Sequence, residues 1–125
     1  MPICQLKTNY SFSDAARREF LDEVAKTLSQ ILDKPLPAVM VMLDDSAMYM
    51  NQSEDTVFFA EFRYVQSITD AEEKSVWQNQ FADTMLALFQ KHTKVDPYRI
   101  YMQFTEMPRE SAWRYTGEER MNIRV

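Results

Sequence analysis

The chain has 125 residues, 46% of them hydrophobic, and a formal net charge of −5 at pH 7. This length is typical of one domain, which we expect to span residues 1–125, and the negative charge argues against a nucleic-acid or anionic-membrane partner. The single glycine excludes nucleotide folds built on a glycine-rich phosphate loop, because neither G-x-G-x-x-G nor a Walker A loop can be written with one glycine.

The sequence also predicts neither a membrane segment nor a metal site. No apolar run approaches the roughly 20 residues that span a bilayer, and the N-terminus lacks the basic and apolar regions of a secretory signal. Cys4 and His92 are the only residues of their types, so neither a disulfide within the chain nor a zinc cluster is expected. We therefore expect a cytoplasmic protein without a metal, with His92 acting as a cation at a helix end.

The first half of the chain predicts a strand, a helix and a second strand. Residues 2–7 read as the first strand and residues 38–43 as the second. Ser13 is a suitable helix N-cap, with Asp14 favourable in the first turn. Between the two predicted strands lies an apolar stripe at helical spacing, made of Phe20, Leu21, Val24, Leu28, Ile31 and Leu32.

The second half predicts the same order of elements. Residues 57–66 are rich in β-branched and aromatic residues and read as a strand, and residues 98–104 read as another. Thr69 and Glu72 have the spacing of a capping box at the start of a helix. The apolar stripe of this helix consists of Trp77, Phe81, Met85, Leu88 and Phe89.

The two halves resemble each other at an offset of 60 residues. Lys34-x-x-Pro37 recurs as Lys94-x-x-Pro97, and we pair Leu21 with Phe81 and Leu28 with Leu88. The repeats would cover about residues 1–60 and 61–113, followed by a charged tail at 114–125.

The repeated units predict an α/β (α+β) fold. Helical crossovers favour parallel pairing, so two β-α-β units should form one four-stranded mixed sheet with both helices on one face. In the strand at 38–43 both alternating sets of side chains are apolar, so the uncovered face should be apolar and need a partner. We therefore expect an oligomer, in which residues 113–125 could add short edge strands that bridge subunits.

Pro2 is a candidate catalytic base at the start of the first strand. If Met1 is removed, Pro2 carries a free secondary amine. A free α-amino group titrates near ~7.7–8.0, and burial disfavours its charged form. An apolar pocket would therefore leave this amine neutral and able to accept a proton at physiological pH.

These features together resemble the tautomerase superfamily, in particular the macrophage migration inhibitory factor (MIF) branch. The resemblance covers the chain to about Trp113. It rests on Pro2, Thr8-Asn9, Asp33-Lys34-Pro35 and residues 96–101, whose sequence is Asp-Pro-Tyr-Arg-Ile-Tyr. It implies a homotrimer with a site at each subunit interface.

The resemblance also implies roles for site residues. Pro2 matches the catalytic proline, Lys34 the lysine that receives a substrate carboxylate, and Tyr101 the tyrosine supplied by the neighbouring subunit. Gln103 stands where the family usually has asparagine. Val65 matches an apolar residue whose backbone N–H faces the ligand, and the apolar wall of the pocket would consist of Tyr64, Val65 and Trp113. Read without the resemblance, Lys34 is a helix-end cation and Tyr101 an aromatic residue of the core.

The chain departs from the family pattern in several places. The usual Ser-Ile-Gly after the third strand is replaced by residues 65–69, and the C-x-x-C of the vertebrate cytokine is absent from 59–62. A cytokine role is therefore poorly supported. Arg63, Arg109 and Arg114 do not match the spacing of the arginines in superfamily branches that dehalogenate or decarboxylate.

The resemblance thus implies a keto–enol tautomerase for small 2-oxo acids of the phenylpyruvate type. Such an enzyme would use Pro2 as its base, provided that Met1 is removed. It would need no cofactor. The alternatives are a MIF-like binding or signalling module with vestigial activity, and a structural trimer without a pocket.

Overall fold

In a computed structural model, residues 1–115 are described, and they form two successive β-α-β units. The first unit consists of β1 (Ile3–Thr8), α1 (Asp14–Leu32) and β2 (Met40–Asp45), and the second of β3 (Phe58–Tyr64), α2 (Ala71–Thr93) and β4 (Ile100–Glu106). Short 3-10 helices lie at Leu36–Ala38, Pro97–Arg99 and Arg109–Ser111. Residues 113–115 form no strand, and the rest of the predicted bridging tail lies outside the described residues.

The four strands form one mixed sheet in the order β2-β1-β3-β4. β1 pairs in parallel with β2, β3 pairs in parallel with β4, and β1 and β3 pair antiparallel at the centre. Each parallel pair is joined by a helical crossover, as parallel strands require. The sheet predicted from the sequence is therefore confirmed.

Both helices cover one face of the sheet and enclose the core. α1 buries one stripe, made of Phe20, Val24, Leu28 and Leu32. The facing strand residues Cys4, Leu6, Phe58, Ala60 and Phe62 are also almost fully buried. Neither helix within residues 1–115 has the length and hydropathy needed to cross a lipid bilayer.

The helix starts are set by side-chain caps, one of which was assigned wrongly from the sequence. Ser13 caps α1 as predicted, because its hydroxyl accepts a hydrogen bond from the Ala16 N–H at 3.2 Å. α2 is capped by Asp70, whose carboxylate accepts from the Glu73 N–H at 2.9 Å. The predicted capping box at Thr69 and Glu72 is therefore one residue too early.

The predicted starts of β2 and β4 were also too early. A 3-10 turn containing Pro37 precedes β2, and one beginning at Pro97 precedes β4. Proline has a fixed φ and no N–H for a strand ladder, which suits these tight turns better than the sheet. The aromatic and aliphatic residues in the turns resembled strand residues in the sequence.

The buried positions of the two helices correspond at an offset of 61 residues, one more than the 60 residues of the predicted repeat. Buried Phe20 corresponds to Phe81, and Val24 to Met85. The pairing of Leu21 with Phe81 was therefore off by one helical position. β3 begins at Phe58, so the second unit starts before the predicted boundary near residue 60.

The open face of the sheet is more polar than we expected. Met40 is 55% exposed, and Tyr101 on β4 is 66% exposed. Between these edges the Arg63 guanidinium bonds the Glu61 carboxylate at 2.8 Å and the Gln5 amide oxygen at 3.2 Å. The expectation of a uniformly apolar second face is therefore wrong, because the central strands carry a charged network there.

Arg99 anchors the long connection between β2 and β3. Its side chain is 9% exposed and donates hydrogen bonds of 2.8–3.1 Å to backbone carbonyls. These acceptors belong to Met50, Ser53, Asp55 and Thr56. One buried guanidinium therefore satisfies the carbonyls of a connection that has no ladder of its own.

We expect Arg99→Gln to destabilise the fold by about 1–3 kcal/mol, because the partly buried carbonyls of this connection would lose their shared donor. Urea unfolding followed by circular dichroism would measure this change. The matched control is Arg18→Gln at an exposed position of α1, which should have little effect. Equal stability of the two variants would contradict the anchoring role.

Candidate active site

A cavity of about 350 Å³ lies where the end of α1 meets the segments that follow β3 and β4. Its volume is within the range of small-molecule sites. Its walls are formed by Ile31, Leu32, Asp33, Lys34, Val65, Gln66, Ser67, Ile68, Trp77 and Arg109. Charged side chains and apolar surfaces thus face the same small space.

A second concavity of about 500 Å³ lies along the first turns of α2. Its charged lining is acidic and consists of Asp70, Glu72 and Glu73. These carboxylates would repel an anionic substrate, so the cavity at Lys34 is the better candidate for binding an organic acid.

Lys34 reaches the cavity because of how α1 ends. Asp33 adopts a left-handed conformation with φ of 51°, which terminates the helix. The Lys34 N–H then donates to the Ser29 carbonyl at 3.1 Å, and the Ser29 hydroxyl donates to the Lys34 carbonyl. The backbone at Lys34 is therefore fixed on both sides, and its half-buried side chain lines the cavity.

The chain terminus is next to this positive site. Pro2 is almost fully buried, and its carbonyl accepts a hydrogen bond from the Met40 N–H at 3.0 Å. Burial and then the charges of Arg114 and Lys34 lower the pKa of the Met1 amine from 8.0 to about 6. The terminal amine thus lies in an electropositive, partly desolvated environment that disfavours its cation.

The segment after β4 packs against Val65 beside the terminus. The Met107 N–H donates to the Tyr64 carbonyl at 2.8 Å and so extends the contact between the two strands. Ala112 is 1% exposed and packs with Val65, and the side chains of Met1 and Met107 pack against this pair. This second, small core fixes the wall of the cavity nearest to the amine.

Two of the predicted wall residues do not line this cavity. Tyr64 is 3% exposed and packs in the main core against Trp77 and Phe81. Burial, followed by the charge of Glu106, raises the pKa of its hydroxyl to about 12. Trp113 is 57% exposed and lies outside the cavity lining.

Trp77, and not Tyr64 or Trp113, supplies the large aromatic surface of this cavity. It packs edge-on against Tyr64 on one side and lines the cavity on the other. The sequence indicated only its place in the helical stripe. Arg109 was noticed but not assigned, since nothing local connects it to the end of α1.

Tyr101 and Gln103 are not brought to the cavity by this chain. Tyr101 pairs with Phe59, and Phe59 pairs with Lys7, whereas Pro2 precedes Ile3 at the other end of β1. At about 3.3 Å per residue, the four-residue step from Lys7 back to Ile3 is roughly 13 Å. The reading of Tyr101 as a core aromatic is wrong, because its side chain is 66% exposed.

The comparison with protein families gives one informative match. A sequence model described as macrophage migration inhibitory factor (MIF) matches residues 1–117. A comparison with curated protein sequences finds no match.

Solved structures of MIF proteins have the same fold. The structure from Toxoplasma gondii has a TM-score of 0.76 at 24% identity, covering 93% of this chain and 96% of that one. The MIF-like protein from Entamoeba histolytica has a TM-score of 0.77 at 18% identity, covering 91% and 94%. The homologue from Prochlorococcus marinus has a TM-score of 0.76 at 16% identity, covering 92% and 96%.

The likeness to these structures shows that the chain has the same fold as they do. The family match extends over nearly the whole chain. The chain therefore belongs to the macrophage migration inhibitory factor family.

Proposed function

We propose that this protein is a keto–enol tautomerase for small 2-oxo acids of the phenylpyruvate type. One observation carries the proposal: burial, and then the charges of Arg114 and Lys34, lower the pKa of the Met1 amine to about 6, and Lys34 lines a cavity of about 350 Å³. A neutral amine beside a cation is suited to removing a proton from an anionic carbon acid.

The base would be Pro2 after removal of Met1. The amine would then move one residue toward the buried start of β1, so the desolvation that lowers its pKa would persist. Its lone pair would take a proton from the carbon next to the ketone. The same proton, returned at the ketone oxygen, gives the enol, and no cofactor is required.

Lys34 would bind the carboxylate of the substrate, and Trp77 would contact its apolar part. The Val65 N–H would provide a further donor to the ligand. Charge would develop on the ketone oxygen as the carbon loses its proton, and preorganised donors lower the energy of that state. We assign this role to Tyr101 and Gln103 of a neighbouring subunit in a homotrimer, with Trp113 of the same interface as a further wall residue.

An alternative function follows if Met1 is retained. The Met1 side chain packs with Val65 and Ala112, which would stabilise an unprocessed terminus. The Pro2 nitrogen would then be an amide without basicity. The protein would be a MIF-like binding or signalling module with vestigial activity.

Replacing the base should remove most tautomerase activity. We expect Pro2→Ala to lower kcat/KM for phenylpyruvate by about 10²-fold or more, because the geometry and basicity of the amine both change. A matched control inserts alanine between Met1 and Pro2, which turns the Pro2 nitrogen into an amide. Intact mass would establish removal of Met1 in each sample, and unchanged turnover in either processed variant would exclude Pro2 as the base.

Lys34→Gln should weaken binding of phenylpyruvate by about ten- to a hundredfold, as expected for the loss of a charge-assisted hydrogen bond. Lys94→Gln is the control, because Lys94 is also a lysine at the C-terminal end of a helix, directly after α2. The methyl ester of phenylpyruvate should be insensitive to both changes. If acid and ester lose the same affinity, Lys34 does not bind the carboxylate.

Mixed oligomers would test whether Tyr101 acts across a subunit interface. We expect Tyr101→Phe to lower turnover by about 10²-fold, as for the loss of a donor to a developing oxyanion. Co-refolding it with Pro2→Ala subunits should restore activity, because some sites would then combine an intact Pro2 with an intact Tyr101.

Tyr98→Phe is the control for this experiment, since Tyr98 is 87% exposed and lies outside the proposed site. Light scattering would establish the assembly state of each sample. A monomer, or a trimer without recovered activity, would contradict a shared site.

A further inference from the structure

Two backbone N–H groups at the candidate cavity share a single acceptor oxygen. The Ser67 N–H and the Ile68 N–H both donate to the side-chain oxygen Oε1 of Gln66, and the bond from Ile68 is 2.9 Å long. These three residues line the same cavity as Lys34. This segment therefore contains a two-donor site, formed by the Ser67 and Ile68 N–H groups, that holds one oxygen atom.

The oxygen in the two-donor site belongs to a side chain that a ligand can displace. Gln66 lies between β3 and α2, where the chain forms neither helix nor strand. The bond from Ser67 is exposed and the bond from Ile68 is only partly buried. Exchanging one hydrogen-bond acceptor for another costs little net free energy. An oxygen of a bound ligand could therefore take the place of the Gln66 oxygen.

A 2-oxo acid has an oxygen suited to this site. Its ketone carbon is bonded directly to the carboxylate, so a ligand whose carboxylate binds Lys34 brings the ketone oxygen into the same small space. The ketone oxygen resembles the amide oxygen of Gln66, because both are carbonyl oxygens that accept two hydrogen bonds. It gains negative charge as the neighbouring carbon loses a proton, and fixed N–H donors that converge on one oxygen stabilise such a charge.

We propose that the Ser67 and Ile68 N–H groups bind the ketone oxygen of the substrate, and that Gln66 occupies their site in the free protein until a 2-oxo acid displaces it. The identity of the ligand rests on the proposed tautomerase function. The two N–H groups would act together with the donors from the neighbouring subunit. Because they are uncharged, the ligand needs only the one carboxylate that Lys34 binds.

Removing the Gln66 oxygen tests the occupied site independently of turnover. Gln66→Met keeps the length of the side chain without the acceptor, and the ligands are phenylpyruvate and 3-phenylpropanoate, which lacks the ketone oxygen. Calorimetry should show that phenylpyruvate binds about two- to tenfold more tightly to the variant than to the wild type, the usual effect of one neutral hydrogen bond, whereas 3-phenylpropanoate gains nothing.

Gln80→Met, at an exposed position of α2, is the control and should leave both affinities unchanged. An equal gain for the two acids in Gln66→Met, or no gain for either, would overturn the proposal.

The donors are tested in the Gln66→Met protein, where no side-chain oxygen competes with the ligand. Replacing the Ile68 amide by an ester removes one N–H and keeps the side chain. The ratio of phenylpyruvate to 3-phenylpropanoate affinity should then fall about two- to tenfold. The same replacement at Thr69, the next residue, is the control and should leave the ratio unchanged. An unchanged ratio in the Ile68 ester would overturn the proposal.

A crystal structure of the wild type with phenylpyruvate gives a second measurement that does not depend on the folding of a variant. The ketone oxygen should lie within hydrogen-bond distance of the Ser67 and Ile68 nitrogens, with the Gln66 side chain turned away. A bound ligand with Gln66 still bonded to both N–H groups would overturn the proposal.

The outcome for the proposed function is read separately. Displacement of Gln66 by phenylpyruvate, in a processed protein that does not turn it over, would support the two-donor site and contradict the tautomerase. Turnover of phenylpyruvate with Gln66 still in place would do the reverse.

Discussion

The central position of β1 in the sheet is the constraint on which the candidate site depends. β1 has β2 on one side and β3 on the other, so its first residues cannot move away from the sheet. The Pro2 carbonyl is bonded to the Met40 N–H, and Ile3 is paired with Arg63. An N-terminus is usually a mobile, solvated cation, whereas here strand pairing fixes it in a partly buried place.

Charge at the end of α1 and after β4 then sets the chemistry of that terminus. Burial is the main cause of the lowered amine pKa, and Arg114 and Lys34 add to it. The same cations that disfavour a protonated amine would attract an anionic substrate. One arrangement of charges therefore serves both the basicity and the binding in the proposed function, and the pairing of the Met107 N–H with Tyr64 holds this arrangement together.

The elements of this fold could be predicted well from the sequence, since their signals are local. Helical stripes, the Ser13 cap and the crossover rule led to the observed sheet, and errors were confined to element ends such as the 3-10 turns at Pro37 and Pro97. The placement of Lys34 and Val65 at one cavity followed from the family resemblance. Trp77 and Arg109 could not be assigned, because their proximity to Lys34 results from the packing of three separate segments. The polarity of the open face was missed because the expectation relied on β2, whereas the charged pair Glu61–Arg63 lies on β3.

The central claim is that a neutral Pro2 amine is present at physiological pH. It can be tested by titrating the amine by NMR in protein labelled with ¹⁵N-proline, after intact mass has established removal of Met1. The account predicts a midpoint below the ordinary α-amino value of ~7.7–8.0, in the direction in which burial shifts the pKa of the Met1 amine. Activity should rise with pH through that midpoint, because the neutral amine is the active form. A midpoint at or above 8.0, or a terminus that retains Met1, would contradict the account.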